Sequence, residues 1–168
     1  SFKLTPLQQT YWFGKLGVYE YGNTAPHLHL AYKTHSFDLK KFVVAINQTL
    51  SLHGMLRVKI LNEELQVIRP KLRYEISTGY YDYDPNNYLN SATFANLRDE
   101  IFNCFSKNEA QYLFYIHVTR CNSDVWYIHF VVDLMLTDII GLVQWFKDIE
   151  TIYFGKSVAK LNINFNEY

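Results

Sequence analysis

The sequence predicts an α+β domain, a mixed and mostly antiparallel sheet covered by helices, and three patterns carry that prediction. Residues 112–132 read as two strand-like runs around a turn, rich in Tyr, Phe, Val and Ile. Several other segments repeat apolar residues at three- and four-residue intervals, the period of a helix with one buried face. Strands and helices are mixed without the strict alternation that builds a parallel sheet. A chain of 168 residues, 49% hydrophobic and 19% charged, is long enough for one sizeable core, which excludes a disordered tail and a disulfide-stapled mini-protein.

The elements follow in order. Thr5-Pro6-Leu7-Gln8 has the form of a helix start, with Thr as N-cap, Pro at the first helical position and Gln closing a capping box, and the helix should run to about Gly14. From His27 to Thr34, Leu28, Leu30 and Tyr32 alternate with His27, His29 and Ala31, as in a strand with two unlike faces. Asp38 caps a second helix carrying Phe42, Val43, Ile46, Thr49 and Leu50 on one face, and Gly54 is placed to end it in the left-handed conformation. Met55 to Ile60 and Leu65 to Ile68 flank Asn62-Glu63-Glu64 as a hairpin, with short edge strands expected at Arg73 to Ile76 and Tyr80 to Tyr83. Pro85-Asn86-Asn87 breaks the pattern. Phe94, Leu97, Ile101, Phe102 and Phe105 form a third helix after a Ser91 cap. Tyr112 to Thr119 and Val125 to Val132 make the long hairpin, and Ile140 to Tyr153 the last helix, with Gly155 just beyond.

Charge and cysteine content narrow the function classes. Sixteen Lys plus Arg balance sixteen Asp plus Glu, so no net charge attracts phosphate backbones or anionic lipid, and neither nucleic acid nor membrane is expected as a partner. The apolar runs are far shorter than a membrane-spanning helix needs. Cys104 and Cys121 lack metal-ligand spacing and read as ordinary thiols of a reducing compartment, so a cytoplasmic location is expected. There is no Gly-rich phosphate loop, no Gly-x-Ser-x-Gly elbow and no Cys-x-x-Cys pair. The 14 Tyr, 12 Phe and 3 Trp are many for this length; they could fill a core, line a pocket or cover an interface.

The sharpest local feature is Asp133-Leu134-Met135-Leu136-Thr137-Asp138, where the strongest strand turns into the last helix. Asp138 could be an N-cap, a member of a buried ion pair or a functional carboxylate. Asp133 ends an apolar strand, where a carboxylate needs a partner or water. In His53-Gly54-Met55-Leu56-Arg57 a helix turns into a strand, and Arg57 either pairs with a carboxylate, Asp138 being the natural suggestion, or keeps its head in solvent. His27-x-His29 is at most half a metal site, and His117 and His129 stand singly in apolar strands, so no metal is assigned.

Taken in order, these motifs resemble the condensation-domain superfamily of nonribosomal peptide synthetases, specifically its heterocyclization branch. Leu4-Thr5-Pro6-Leu7-Gln8-Gln9-Thr10-Tyr11-Trp12-Phe13-Gly14-Lys15 resembles the branch's first motif, L-T-x-x-Q-x-A-Y-x-x-G-R, with Thr10 for Ala and Lys15 for Arg. His53 to Arg57 resembles R-H-x-x-L-R, with Leu52 for the first Arg, and Asp133 to Asp138 resembles D-x-x-x-x-D-x-x-S, with Gly141 for Ser. Ordinary condensation domains carry H-H-x-x-x-D-G there, and Leu134 stands at the catalytic His, so the resemblance itself excludes a histidine-dependent transfer at that position.

The resemblance implies the N-terminal one of two chloramphenicol-acetyltransferase-like lobes, residues 1–160, with 161–168 starting a linker to a C-terminal lobe. The family joins a carrier-bound acyl donor to carrier-bound Cys, Ser or Thr and cyclodehydrates the product to a thiazoline or oxazoline. The implied partners are therefore the C-terminal lobe and acyl or peptidyl carrier proteins, whose phosphopantetheine arms bring the substrates; the lobe binds no cofactor itself. An ion pair between Asp138 and Arg57 is implied as architecture, with Asp133 nearer the tunnel orienting substrate or backbone and with Gln8, Tyr11 and Trp12 at the tunnel or lobe interface. The family's Thr and Asp tied to cyclodehydration belong to the other lobe, so this lobe alone is expected to be inactive. A non-catalytic module of the same fold that docks carrier proteins is the alternative. A stand-alone acyltransferase would need the His-x-x-x-Asp-Gly that the chain lacks.

Overall fold

The structure is a computed structural model that describes all residues except 19, 21–25, 71–72, 107–111, 123 and 160–168. Four helices and seven strands are described: β1 (Phe2–Lys3), α1 (Pro6–Leu16), β2 (His27–His35), α2 (Leu39–Leu52), β3 (Val58–Ile60), β4 (Leu65–Ile68), β5 (Ser77–Tyr81), α3 (Ala92–Ser106), β6 (Phe114–Cys121), β7 (Val125–Asp133) and α4 (Ile139–Tyr153). The main sheet runs β2-β7-β6-β5, antiparallel except for the parallel β5–β6 edge, and a small antiparallel sheet runs β1-β4-β3. This is the α+β, chloramphenicol-acetyltransferase-like architecture that the sequence predicts.

Alternation along β6 and β7 divides the interior. Phe114, Ile116, Val118, Ile128, Phe130 and Val132 face α2 and α4, packing on Ala45, Ile46, Leu142 and Trp145 in the main core. The intervening Tyr115 and Val131 face α3 with Leu97 and Ile101, while Tyr127 joins Tyr81 and Tyr88. With a helix layer on each face, nearly every residue of β7 is buried, which is why that strand reads as a continuous apolar run. Most of the aromatic surplus is spent inside: Trp145, Phe130 and Phe146 form one ring cluster, and Tyr88, Phe94, Tyr127 and His129 another.

The helix starts are as expected. The Gln8 N–H donates to Thr5 Oγ1 at 3.2 Å and the Thr5 N–H to Gln8 Oε1 at 3.0 Å, the reciprocal capping box. Asp38 accepts from the Lys41 N–H at 3.1 Å and Ser91 from the Phe94 N–H at 3.1 Å. Gly155 (φ 77°) follows α4 in the left-handed region.

Three expectations fail locally. Gly54 does not end α2 in the left-handed conformation. His53 turns extended (φ −105°) and residues Gly54–Arg57 wind a 3₁₀ turn, so the first hairpin strand begins only at Val58. Glycine is used there for close approach, since a Cβ on it would come within 3.2 Å of Ile68 Cδ1. Arg73 to Ile76 is not a strand, because Asn47 on α2 takes both backbone groups of Tyr74, accepting from its N–H at 2.7 Å and donating to its carbonyl at 3.1 Å. The second edge strand lies at Ser77–Tyr81, and β1 is too short for periodicity to register. The expected linker, 161–168, and the side chain of Cys104 lie outside the described residues.

Candidate functional site

The turn between β7 and α4 is held from three sides. The Asp133 N–H donates to the Leu113 carbonyl at 2.9 Å, the Leu134 N–H to the Pro26 carbonyl at 3.0 Å, and the Leu136 N–H to the Asp133 carbonyl at 2.9 Å. Asp133 itself is fully buried. Its Oδ1 accepts from the Met135 N–H at 2.9 Å, and its Oδ2 lies against the ammonium of Lys15, whose side chain is only 4% exposed. Gln8 closes the arrangement, its amide donating to the Met135 carbonyl at 2.8 Å while pairing with Gln66. Gln8 and Lys15 are seven residues apart on α1 and therefore share a face. The first and third motifs are thus one structural unit: the helix capped by Thr5 clamps the Asp133 turn.

Asp133 is buried, and its contacts with Lys15 and the Met135 N–H orient the backbone of the turn. Gln8 and Trp12 are buried as well, and Tyr11 packs half-buried against the core. Among the exposed apolar residues, four lie together on the turn and the start of α4: Leu134, Ile139, Ile140 and Val143. The sequence signal for them is Ile139-Ile140, adjacent apolar residues that a single helix face cannot bury together.

The expected Arg57–Asp138 ion pair is not formed among the described residues. Asp138 is exposed and caps α4, accepting from the Gly141 N–H at 2.8 Å. Arg57 is half-buried and donates to two carbonyls, from Nε to Leu50 at 2.8 Å and from Nη1 to Arg69 at 2.6 Å. Those carbonyls satisfy the guanidinium and stitch the end of α2 to the β4 side of the small sheet. Gly141, where the resembled signature has a serine, has a physical reason: a Cβ there would fall on Thr137 Oγ1. The Thr137 hydroxyl occupies the volume that a serine side chain at this position would need.

Beside this turn the structure assembles a pair of which spacing carries no sign. His53 Nε2 lies 2.7 Å from Asp148 Oδ2, and Asp148 Oδ1 accepts from the Gln144 amide at 2.8 Å. Asp148 is buried on α4. His53 and Gln144 border a cleft of about 220 Å³ shared with Met55, Leu136, Thr137 and Gly141. Only the helical period on α4, which turns Asp148 inward beside Trp145 and Ile149, could have hinted at it.

Three other histidines, His29, His117 and His129, form a separate group under α3. His29 Nε2 and His129 Nδ1 are 3.3 Å apart, His129 Nε2 lies 3.0 Å from the Tyr88 hydroxyl, and His117 Nδ1 lies 2.9 Å from Ser77 Oγ. Burial pushes His129 down to about 3, helped by the neighbouring His29 and His117, and pushes His117 down to about 4. Among the described residues no group of three His, Cys, Asp or Glu could hold a metal ion. Burial raises the Cys121 thiol, and no helix among the described residues is long and apolar enough to cross a membrane.

No protein-family model matches the sequence, and no curated protein does. Solved structures do match. The cyclization-docking bidomain of the EpoB nonribosomal peptide synthetase from Sorangium cellulosum superposes with a TM-score of 0.86 at 25% identity, covering 99% of this chain and 33% of that one. The nonribosomal peptide synthetase FmoA3 gives 0.73 at 20% identity, covering 99% of this chain and 16% of that one. The X-domain from teicoplanin biosynthesis gives 0.76 at 15%, covering 98% and 36%. The chain spans about a third of the length of the EpoB and teicoplanin structures. Its fold is that of a condensation-like lobe.

Proposed function

We propose that this chain is the N-terminal lobe of a heterocyclization domain. In this reading the domain forms an amide between a carrier-bound acyl donor and carrier-bound Cys, Ser or Thr, then cyclodehydrates it to a thiazoline or oxazoline. The observation that carries the proposal is the Asp133–Asp138 turn. It keeps both carboxylates of the branch's signature, puts a half-exposed Leu134 where a histidine-dependent condensation domain needs its base, and is clamped by Gln8 and Lys15 from the first motif. The likeness to the EpoB cyclization-docking bidomain supports it.

The residues take different parts in this proposal. Lys15, Asp133 and Gln8 hold the turn, Asp138 fixes the start of α4, and Arg57 ties the end of α2 to the small sheet. Leu134, Ile139, Ile140 and Val143 offer an apolar face to the C-terminal lobe, and the substrate tunnel runs between the two. Both substrates come on phosphopantetheine arms of carrier proteins, and the lobe holds no cofactor. The test joins the chain to its downstream sequence, supplies an acylated donor carrier with Cys-, Ser- and Thr-loaded acceptor carriers, and reads the products by mass spectrometry. The expected product is the amide less one water; an intact protein that binds both carriers but joins nothing would refute the assignment.

That outcome would favour a second reading, a non-catalytic condensation-like module that docks carrier proteins or organises a synthetase. Gly141 in the place of the signature's serine favours it, as does the likeness to an X-domain whose complex with OxyB has been solved.

A further inference from the structure

The condensation step needs a proton acceptor, and the signature position that supplies one in histidine-dependent relatives is Leu134 here. The His53–Asp148 pair meets the requirements in structure. A carboxylate oxygen accepts, so the short 2.7 Å contact places a proton of His53 on Nε2, and Nδ1 lies on the other side of the ring. Nδ1 has no hydrogen-bond partner among the described residues, whereas Asp148 is anchored through its second oxygen by Gln144 at 2.8 Å. The imidazole is therefore oriented from one side and open on the other. It borders the cleft of about 220 Å³ that is also lined by Leu136, Thr137 and Gly141 of the signature. A buried carboxylate behind an imidazole also stabilises the imidazolium that forms when the ring takes a proton.

We propose that His53, positioned by Asp148 and Gln144, is the base of the amide-forming step, acting on the α-amine of the carrier-bound acceptor in this cleft. The proposal rests on the heterocyclization reading and concerns its first step only. The neutral amine nitrogen attacks the donor thioester carbonyl; a C–N bond forms and the C–S bond breaks. The proton leaves nitrogen for His53 Nδ1, and the imidazolium, balanced by Asp148, returns it to the departing pantetheine thiolate. No oxidant or further reactant is required.

The experiment uses the intact parent protein with carrier-bound substrates and follows amide formation. His53→Ala should lower kcat by about 10²- to 10⁴-fold, the usual worth of a positioned base, with KM for the acceptor carrier nearly unchanged. Free imidazole, which fits the volume vacated, should restore part of the rate to His53→Ala. Asp148→Asn should lower kcat in the same direction, since it removes the negative charge and, with its oxygen held by Gln144, turns an NH2 donor toward Nε2. If His53→Ala does not fold, His53→Gln keeps a donor to Asp148 and takes its place in the comparison. Retention of kcat within about threefold in either folded variant, or no response of the alanine variant to imidazole, would overturn the proposal while leaving the functional reading intact. A wild-type protein that forms no amide would overturn both.

Discussion

Replacing Lys15 by Met should destabilise the chain more than any other single change at the signature turn. The ion pair it forms with Asp133 is enclosed, the two side chains being 4% and 1% exposed, so solvent screens it little. Among the described residues Asp133 Oδ2 has no hydrogen bond besides that pair, and removing Lys15 strands a carboxylate in the interior. Breaking a buried pair in this way costs about 3 to 5 kcal/mol. For a chain of this size that corresponds to a fall in Tm of roughly 6 to 20 °C. The double variant Lys15→Met with Asp133→Asn removes both charges yet keeps an oxygen for the Met135 N–H, so it should recover most of the loss. Asp133→Asn alone should cost less than Lys15→Met, because a stranded ammonium on a flexible stem can turn toward water. Thermal and urea unfolding of the four chains by circular dichroism gives the coupling directly. A Lys15→Met chain that melts within about 2 °C of wild type, or a double variant no better than that single one, would refute the clamp.

Arg57→Met should cost about 1 to 3 kcal/mol by orphaning the Leu50 and Arg69 carbonyls, and Asp138→Ala about 1 kcal/mol as a lost cap. Urea unfolding of the double variant should give the sum to within about 0.5 kcal/mol, since the residues do not pair, whereas strong coupling would restore the ion pair implied by the resemblance. Gly141→Ala should destabilise the chain while Thr137 is present, and in a Thr137→Ala background should instead stabilise it by up to about 1 kcal/mol through helix propensity, a sign change readable in Tm. His129 and His117 are held below their ordinary 6.5 in the fold, so the unfolded chain binds more protons and stability must fall as pH drops from about 6.5 toward 4. His129→Gln should flatten that slope in pH-dependent urea melts.

The amino-acid order alone determined the elements whose causes are local. Thr5 and Gln8, Asp38, Ser91 and Gly155 mark helix ends because capping is decided within three or four residues. The two unlike faces of β2 are legible because successive side chains point to opposite faces of the sheet, and the apolar run of β7 because both its faces are covered. The signature turn was legible for the same reason, being a strand end followed at once by a helix cap.

What required the tertiary structure is everything that joins distant segments. Lys15 meets Asp133, far along the chain, because α1 lies against the end of β7, and spacing carries no trace of that contact. His53 meets Asp148 because α2, whose end it caps, packs on α4. Arg57 and Asp138 were matched by charge, but charge is not the only partner available. Two carbonyls near Arg57 and the unpaired N–H groups at the start of α4 satisfy each residue where it stands. A sequence states which groups need partners; which partners they find depends on where the packed core leaves them.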